Sequence, residues 1–235
     1  MIFFYNIFRL FFKSGISIAA GWNSKAEKWV AGRKNWQNEL SLNWKTETGN
    51  PVIWMHCASL GEFEQGRPII EKLKSEIPSS RILLTFFSPS GYEIRKNYEK
   101  ADYVMYLPFD SKKNAAVFLN KIKPQLAIFV KYEFWYYFLQ ELKERKIETI
   151  LVSGIFRSSQ PFFKWWGSFH RNMLNNFSHL FVQNKESKEL LTGIGLAEQT
   201  TVAGDTRFDR VLASVQQWKP VDHLDSFCAD CFTIV

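Results

Sequence analysis

Residues 52–73 read VIWMHCASLGEFEQGRPIIEKL, and this stretch decides the fold. Residues 52–57 form a nearly continuous apolar run, which is typical of a strand covered on both faces. After a turn that contains Gly61, the apolar residues Ile69, Ile70 and Leu73 fall on one face of a helix. The stretch therefore predicts a buried strand followed directly by an amphipathic helix.

The same alternation continues along the chain. Apolar runs predict strands at 52–57, 81–86, 103–107, 126–130, 149–153, 180–183 and 200–203. Amphipathic stretches predict helices at 62–76, 90–98, 112–122, 133–145, 164–176 and 185–191. Near-continuous apolar strands that alternate with helices indicate a parallel sheet, and right-handed crossovers give it helices on both faces. The predicted fold class is α/β, with a doubly wound, Rossmann-like sheet.

Ligands of such sheets bind at the carboxyl ends of the strands, which here are followed by loops at 58–62, 88–91, 131–133 and 154–157. The first loop lacks the G-x-G-x-x-G pattern of a dinucleotide site, and no acidic residue ends the second strand. The chain also has no Walker A lysine. These absences argue against a nicotinamide enzyme, and we predict no cofactor.

Two carboxylates follow strands at this edge. Glu62 and Glu133 are both predicted to lie in the first turn of a helix, where the helix dipole would keep Glu62 ionised, as a general base requires. The alternative is that each is an ordinary stabilising residue of a helix start. Arg157 and Arg207 also lie near strand ends, where a guanidinium suits phosphate or carboxylate, although surface arginines are common.

The N-terminal segment is apolar, aromatic and basic. Residues 1–50 contain seven Lys or Arg against three Asp or Glu, and aromatic residues make up 17% of the whole chain. In residues 2–13 the helical spacing places Asn6, Arg9 and Lys13 on one stripe and leaves a wide apolar arc. This pattern favours a helix at an anionic membrane surface, with Trp22 and Trp29 near the headgroups. The alternatives are a helix packed in its own core, and nucleic-acid binding, for which no motif is present.

Three cysteines, Cys57, Cys228 and Cys231, form no disulfide framework and indicate a reducing compartment. Cys228 and Cys231 have the spacing of a redox or zinc pair. A second ligand pair is missing and the histidines are scattered, so we favour an ordinary structural role.

Four motifs in order give the chain a family resemblance. They are W-M-H-C-A-S-L-G-E-F from Trp54, S-P-S-G from Ser88, Y-E-F-W from Tyr132, and V-A-G-D-T-R-F-D from Val202. In this order they resemble the motifs of 3-deoxy-D-manno-octulosonic acid (Kdo) transferases, over the chain as far as about Arg210. The resemblance implies the N-terminal, acceptor-binding lobe of a GT-B glycosyltransferase that inverts at the anomeric carbon and needs no metal. It also implies transfer from CMP-Kdo to a lipid A precursor at the cytoplasmic face of the inner membrane, with no role for nucleic acid.

The resemblance also implies roles for individual residues. Glu62 matches the proton acceptor, Glu133 a glutamate that supports the transition state, and Arg207 a position where most members have lysine. The expected acceptor site comprises Ser59, Gly61, Ser90, Gly91 and Arg157. The aromatic residues of the nearby stretch 162–166 either flank the lipid acceptor or belong to the core.

The expected organisation is a membrane-associating helical segment at 1–35, an acceptor-binding domain at 36–212, and a linker with the first strand of a donor domain at 213–235. The donor-binding lobe of the family would follow and is expected to be missing from this chain. Two interpretations therefore stay open: a catalytic acceptor lobe, or a non-catalytic lobe that binds membrane or lipid.

Overall fold

The computed structural model describes residues 1–45 and 49–216. Its strands are β1 (Val52–Cys57), β2 (Arg81–Phe86), β3 (Tyr103–Tyr106), β4 (Leu126–Val130), β5 (Glu148–Gly154), β6 (His179–Val182) and β7 (Thr200–Val202). Its helices are α1 (Ile2–Ala19), α2 (Ser24–Ala31), α3 (Trp36–Asn43), α4 (Leu60–Glu76), α5 (Pro89–Arg95), α6 (Lys112–Ile122), α7 (Tyr136–Glu144), α8 (Ser168–Leu174), α9 (Lys185–Thr192) and α10 (Arg207–Gln216). A short 3₁₀ helix spans Pro161–Phe163.

The seven strands form one parallel sheet in the order β3-β2-β1-β4-β5-β6-β7. The chain leaves β1 toward β2 on one side and reaches β4 on the other, so the topological switch point lies between β1 and β4. The predicted Rossmann-like, doubly wound α/β fold with an apolar N-terminal helix is confirmed. The bounds predicted for β1, β2, β4 and α6 are also correct.

Successive residues of β1 serve two separate cores, because side chains alternate across a strand. Trp54 packs with Phe118, Phe129 and Phe138 on the face covered by α6 and α7. Met55 lies in the second core, which α4 covers with its Phe63 and Ile70. Both faces of the strand are therefore buried, as its apolar run predicts.

Several predicted helix bounds differ from those observed, and one of these differences bears on the loops at the strand ends. Helix α7 begins at Tyr136, because Trp135 still has extended backbone dihedrals of −90° and 102°, so Glu133 lies in the loop after β4 and not in a helical turn. Helix α10, for which no prediction was made from the sequence, runs to Gln216. The boundary expected at residue 212 between the domain and the linker stays a prediction. The rest of the predicted linker, the predicted strand at 232–235 and the pair Cys228 and Cys231 lie outside the described residues.

The N-terminal helix α1 presents Asn6 and Arg9 of its polar stripe to the protein, while Lys13 is exposed. Tyr137 donates a hydrogen bond of 2.8 Å to Asn6, and the Arg9 guanidinium lies 5.1 Å from the centre of the Tyr137 ring. The exposed side of the helix carries large apolar residues, namely Phe3, Phe4, Phe8, Leu10, Phe11 and Ile18. Within the described residues, α1 is the helix long and apolar enough to cross a membrane by length and composition.

The two tryptophans predicted near headgroup depth have different environments. Trp22 is 77% exposed. Trp29 is 5% exposed and packs against Phe12, Phe87 and Phe109, so its assignment to the membrane surface is wrong. A buried ring of this size contributes to the core instead.

Candidate active site

The loop after β1 holds Glu62 at the start of α4. The Ser59 backbone N–H donates to Oε2 of Glu62 over 2.8 Å, and the Ser59 hydroxyl lies 3.1 Å from the same oxygen. This is the glutamate half of a capping box, in which the carboxylate satisfies a backbone donor at the helix start. The structural role considered for Glu62 is therefore real, and it does not exclude a chemical one.

Burial and the nearby Glu133 carboxylate raise the pKa of Glu62 above its ordinary value, against the smaller opposing effect of the Ser59 hydrogen bonds. The sequence predicted a carboxylate held ionised by the helix dipole, an effect that by itself lowers the pKa. Removal from water and a like charge outweigh that effect here. The result is a stronger base than an exposed glutamate, and it lies at the switch point of the sheet.

Gly61 is the second residue of α4 and its φ lies outside the left-handed region, so it does not form the turn that was expected to contain it. A Cβ at this position would meet no atom within 4 Å. The glycine therefore leaves open space beside Glu62, into which another molecule can come close to the backbone.

The loop after β2 packs against the loop after β1. The Ser88 backbone N–H donates to the Ala58 carbonyl over 2.7 Å, and the Ser88 and Ser90 hydroxyls lie 3.0 Å apart. Gly91 is buried, and a Cβ there would lie 2.3 Å from the Phe86 ring and 3.1 Å from the carbonyl carbon of Ser59. The structure thus brings Ser59, Gly61, Glu62, Ser90 and Gly91 together, and Gly91 serves close packing.

Glu133 lies in the loop after β4, the strand next to β1. Lys131, at the start of this loop, has a φ of +62°, a strained backbone of the kind that occurs at functional sites. The Glu133 carboxylate accepts a hydrogen bond of 2.6 Å from the Trp135 indole, and its Oε2 lies 3.1 Å from Nε2 of His56. Because β1 and β4 are neighbours, the two loops place Glu62 and Glu133 close enough to interact electrostatically.

Arg207 begins α10 and turns toward its own loop. Its Nε donates to Oδ2 of Asp205 over 2.8 Å, and the side chain is largely exposed. These hydrogen bonds hold the pKa of Asp205 below its usual range. Gln65 of α4 lies 3.4 Å from the same carboxylate, so this loop adjoins the helix that carries Glu62. The described structure shows Arg207 bound to Asp205 rather than to Glu62 or Glu133.

The Arg157 backbone N–H donates a hydrogen bond of 2.9 Å to the Gln160 side chain within its own loop. Arg157 is exposed after β5 and borders an open cavity of 760 Å³, whose other walls include Phe163, Asn184, Glu189 and Ile194. In the nearby aromatic stretch, Phe162 is buried in the core, whereas Trp165 is 92% exposed. Within residues 1–45 and 49–216, no three His, Cys, Asp or Glu side chains are grouped as metal ligands would be.

Sequence reasoning missed His56 and Trp135, which hold Glu133. The signal for His56 was present, since a single histidine interrupts an otherwise apolar buried strand. A buried polar side chain of this kind requires partners, and those partners are often functional.

With this geometry established, similarity to known proteins decides the family. Residues 34–210 match the family model described as 3-deoxy-D-manno-octulosonic-acid transferase (kdotransferase), which is well over half of the chain. The chain belongs to the Kdo transferase family.

Two curated relatives illustrate the relationship. A Kdo transferase of Rickettsia felis is 29% identical over 182 residues, which cover 74% of this chain and 38% of that protein. A bifunctional glycosyltransferase/methyltransferase of Fusobacterium nucleatum is 32% identical over 174 residues, which cover 72% of this chain and 27% of that protein. This member of the Kdo transferase family thus spans well under half the length of these relatives.

Solved structures share the fold. A UDP-N-acetylglucosamine 2-epimerase superposes with a TM-score of 0.55 at 15% identity. The match covers 76% of this chain and 55% of the epimerase chain. A putative UDP-N-acetylglucosamine 2-epimerase from Listeria monocytogenes superposes with a TM-score of 0.57 at 12% identity. The match covers 77% of this chain and 51% of the epimerase chain. At these identities the likeness shows the architecture alone, a GT-B-like lobe.

Proposed function

We propose that this chain is the acceptor-binding part of an inverting, metal-independent glycosyltransferase of lipopolysaccharide biosynthesis, which transfers Kdo from CMP-Kdo to a lipid A precursor. The observation that carries the proposal is the pairing of Glu62 and Glu133 at the carboxyl ends of adjacent strands, on either side of the switch point. Family membership supports the class of reaction.

In the proposed reaction, Glu62 removes the proton from an acceptor hydroxyl, and the resulting oxygen attacks the anomeric carbon of Kdo. The bond from that carbon to the phosphate oxygen breaks, and its electron pair leaves with cytidine monophosphate. The pKa of Glu62 is raised by burial and by Glu133, which makes the carboxylate a better proton acceptor. Glu133 stabilises the positive charge that develops on the sugar, as a fixed carboxylate can.

The acceptor is proposed to lie over the loop that contains Ser59 and Gly61. Gly61 leaves open space there, and the exposed Ser90 hydroxyl at the neighbouring loop can hydrogen-bond to a sugar. Arg207 and Arg157 are proposed to bind anionic groups of the substrates, through guanidinium hydrogen bonds to phosphate or carboxylate. In Arg207 this requires the guanidinium to exchange its exposed bond to Asp205 for the substrate.

We also propose that the protein works at an anionic membrane surface, the cytoplasmic face of the inner membrane. The support is the orientation of α1, whose Asn6 and Arg9 contact the domain while its large apolar side chains are exposed. A contiguous exposed apolar surface of this kind marks a membrane or protein contact, and the basic N-terminal segment favours anionic lipid.

Two measurements test the function. Kdo transfer from CMP-Kdo to a lipid A precursor is assayed with this chain alone and with a donor-binding domain supplied, and we expect turnover with the added domain. Calorimetry on the chain alone should show saturable binding of the lipid A precursor and none of cytidine monophosphate. Acceptor binding without turnover in either assay would favour the non-catalytic lipid-binding interpretation, and absence of acceptor binding would refute both.

A further inference from the structure

His56 is a buried titratable side chain at the floor of the candidate site. It lies on β1 with its side chain fully buried. Residues 54 and 56 point to the same side of the strand, so His56 lies next to Trp54. An imidazole in such a place must satisfy both ring nitrogens within the protein.

Both nitrogens have partners, and these partners locate the proton. Nδ1 lies 2.8 Å from the hydroxyl oxygen of Thr85 on the adjacent strand β2. That hydroxyl already accepts the Trp54 indole N–H over 2.8 Å, so its own proton is free to be donated. The His56 nitrogen is nearer than the alternative acceptor, the Met55 carbonyl at 3.4 Å. Nδ1 is then the acceptor, and the neutral ring carries its proton on Nε2.

A proton on Nε2 points at Glu133. Its Oε2 lies 3.1 Å away and also accepts the Trp135 indole N–H over 2.6 Å, a shorter contact than the 3.2 Å between that indole and His56. Two N–H donors from opposite elements, a strand and a loop, thus converge on one carboxylate oxygen. They fix the direction of that carboxylate.

We infer that His56, as the neutral Nε2–H tautomer set by Thr85, is a positioning residue that orients Glu133 for glycosyl transfer. This inference rests on the proposed function, because it assumes that the Glu133 carboxylate acts on the reacting sugar. The role resembles that of a buried carboxylate that orients a catalytic histidine, with the two residue types exchanged.

The first test needs no activity and uses this chain as it is. Nitrogen-15 NMR of the labelled histidines, with His56 assigned by its loss in His56→Gln, reports the tautomer directly. We expect the proton of the neutral ring on Nε2, and a proton on Nδ1 instead would overturn the inference. Thr85→Val, which removes the hydroxyl but keeps the shape, should weaken the tautomer preference.

The second test compares two variants in a form of the protein that transfers Kdo. His56→Gln keeps an N–H donor near the position of Nε2, whereas His56→Asn places its amide near Nδ1, short of Glu133. We expect kcat to fall about 10- to 100-fold in His56→Asn with the acceptor KM little changed, and to be largely restored in His56→Gln.

Thermal unfolding of both variants accompanies these assays. An equal loss of kcat in the two variants, or a normal kcat in His56→Asn, would refute a positioning role while leaving the transferase proposal intact. Absence of transfer in the unmodified protein would instead refute the proposed function, and the NMR result would still decide the tautomer.

Discussion

The hydroxyl of Tyr5 donates a hydrogen bond of 2.5 Å to the carboxylate of Asp110, which lies 105 residues later in the chain. Asp110 is buried and also accepts the backbone N–H groups of Tyr137 and Phe138, each over 3.2 Å. Those groups belong to the first turn of α7, the helix that follows Glu133. The N-terminal helix is therefore bound to the same structure that supports the candidate site.

The contributions of the two sides of α1, one to stability and the other to membrane binding, should be separable by mutation. Tyr5→Phe removes a donor from buried Asp110 and should lower the free energy of unfolding by about 1–3 kcal/mol, with binding to anionic liposomes unchanged. The control is the double variant Leu10→Ser and Phe11→Ser, at side chains that are 64% and 71% exposed. It should lose liposome binding and keep its stability, as measured by sedimentation and by urea unfolding. A stability loss in the control would show that this face packs on protein.

Replacement of Glu62 tests the chemistry. Glu62→Gln preserves an oxygen that can accept the Ser59 backbone N–H, so the helix start should remain intact. Loss of the base should lower turnover by about 10²- to 10⁴-fold in a form of the protein that transfers Kdo, with acceptor binding retained. The assay is Kdo transfer alongside calorimetry, and near-normal turnover would remove Glu62 from the mechanism.

The same variant should show a pH-dependent gain in stability. Because the pKa of Glu62 is raised in the folded protein, the folded state binds more protons than the unfolded state between the two pKa values. The free energy of unfolding that Glu62 contributes is therefore lost as pH rises from its unfolded-state pKa through its higher folded-state pKa, and it stays lost at higher pH. Glu62→Gln should unfold at higher urea concentration than the unmodified protein near neutral pH, and the difference should vanish in acid. An equal difference at every pH would contradict the cause assigned here.

Gly61 and Gly91 should respond oppositely to alanine. Gly61→Ala adds a methyl group in open space within a helix, so it should stabilise the fold by about 0.5–1 kcal/mol, yet weaken acceptor binding if the acceptor uses that space. Gly91→Ala places a methyl group against the Phe86 ring and should destabilise by about 1–3 kcal/mol. Thermal unfolding and acceptor titration of both variants give the comparison. Unchanged acceptor binding in Gly61→Ala would place the acceptor elsewhere.

The sheet could be predicted from sequence because its signal is local. A run such as residues 126–130 is apolar throughout, and parallel strands covered on both faces require that composition. The rule that ligands bind at carboxyl strand ends then selected the loops of Glu62 and Glu133 before any contact was known. The error at residues 133–135 arose at a helix end, where periodicity is weakest and the extended backbone of Trp135 postpones the first turn.

The seven strands, most of the helices that cover them and the two loops that carry carboxylates follow from the pattern of apolar residues alone. The position of β4 beside β1, the contact of His56 with Glu133 across 77 residues and the contact of Asn6 with Tyr137 are seen in the folded chain alone. The physical reason is that periodicity shows which side chains are apolar, whereas the burial and proton positions of polar groups depend on partners brought from distant parts of the chain.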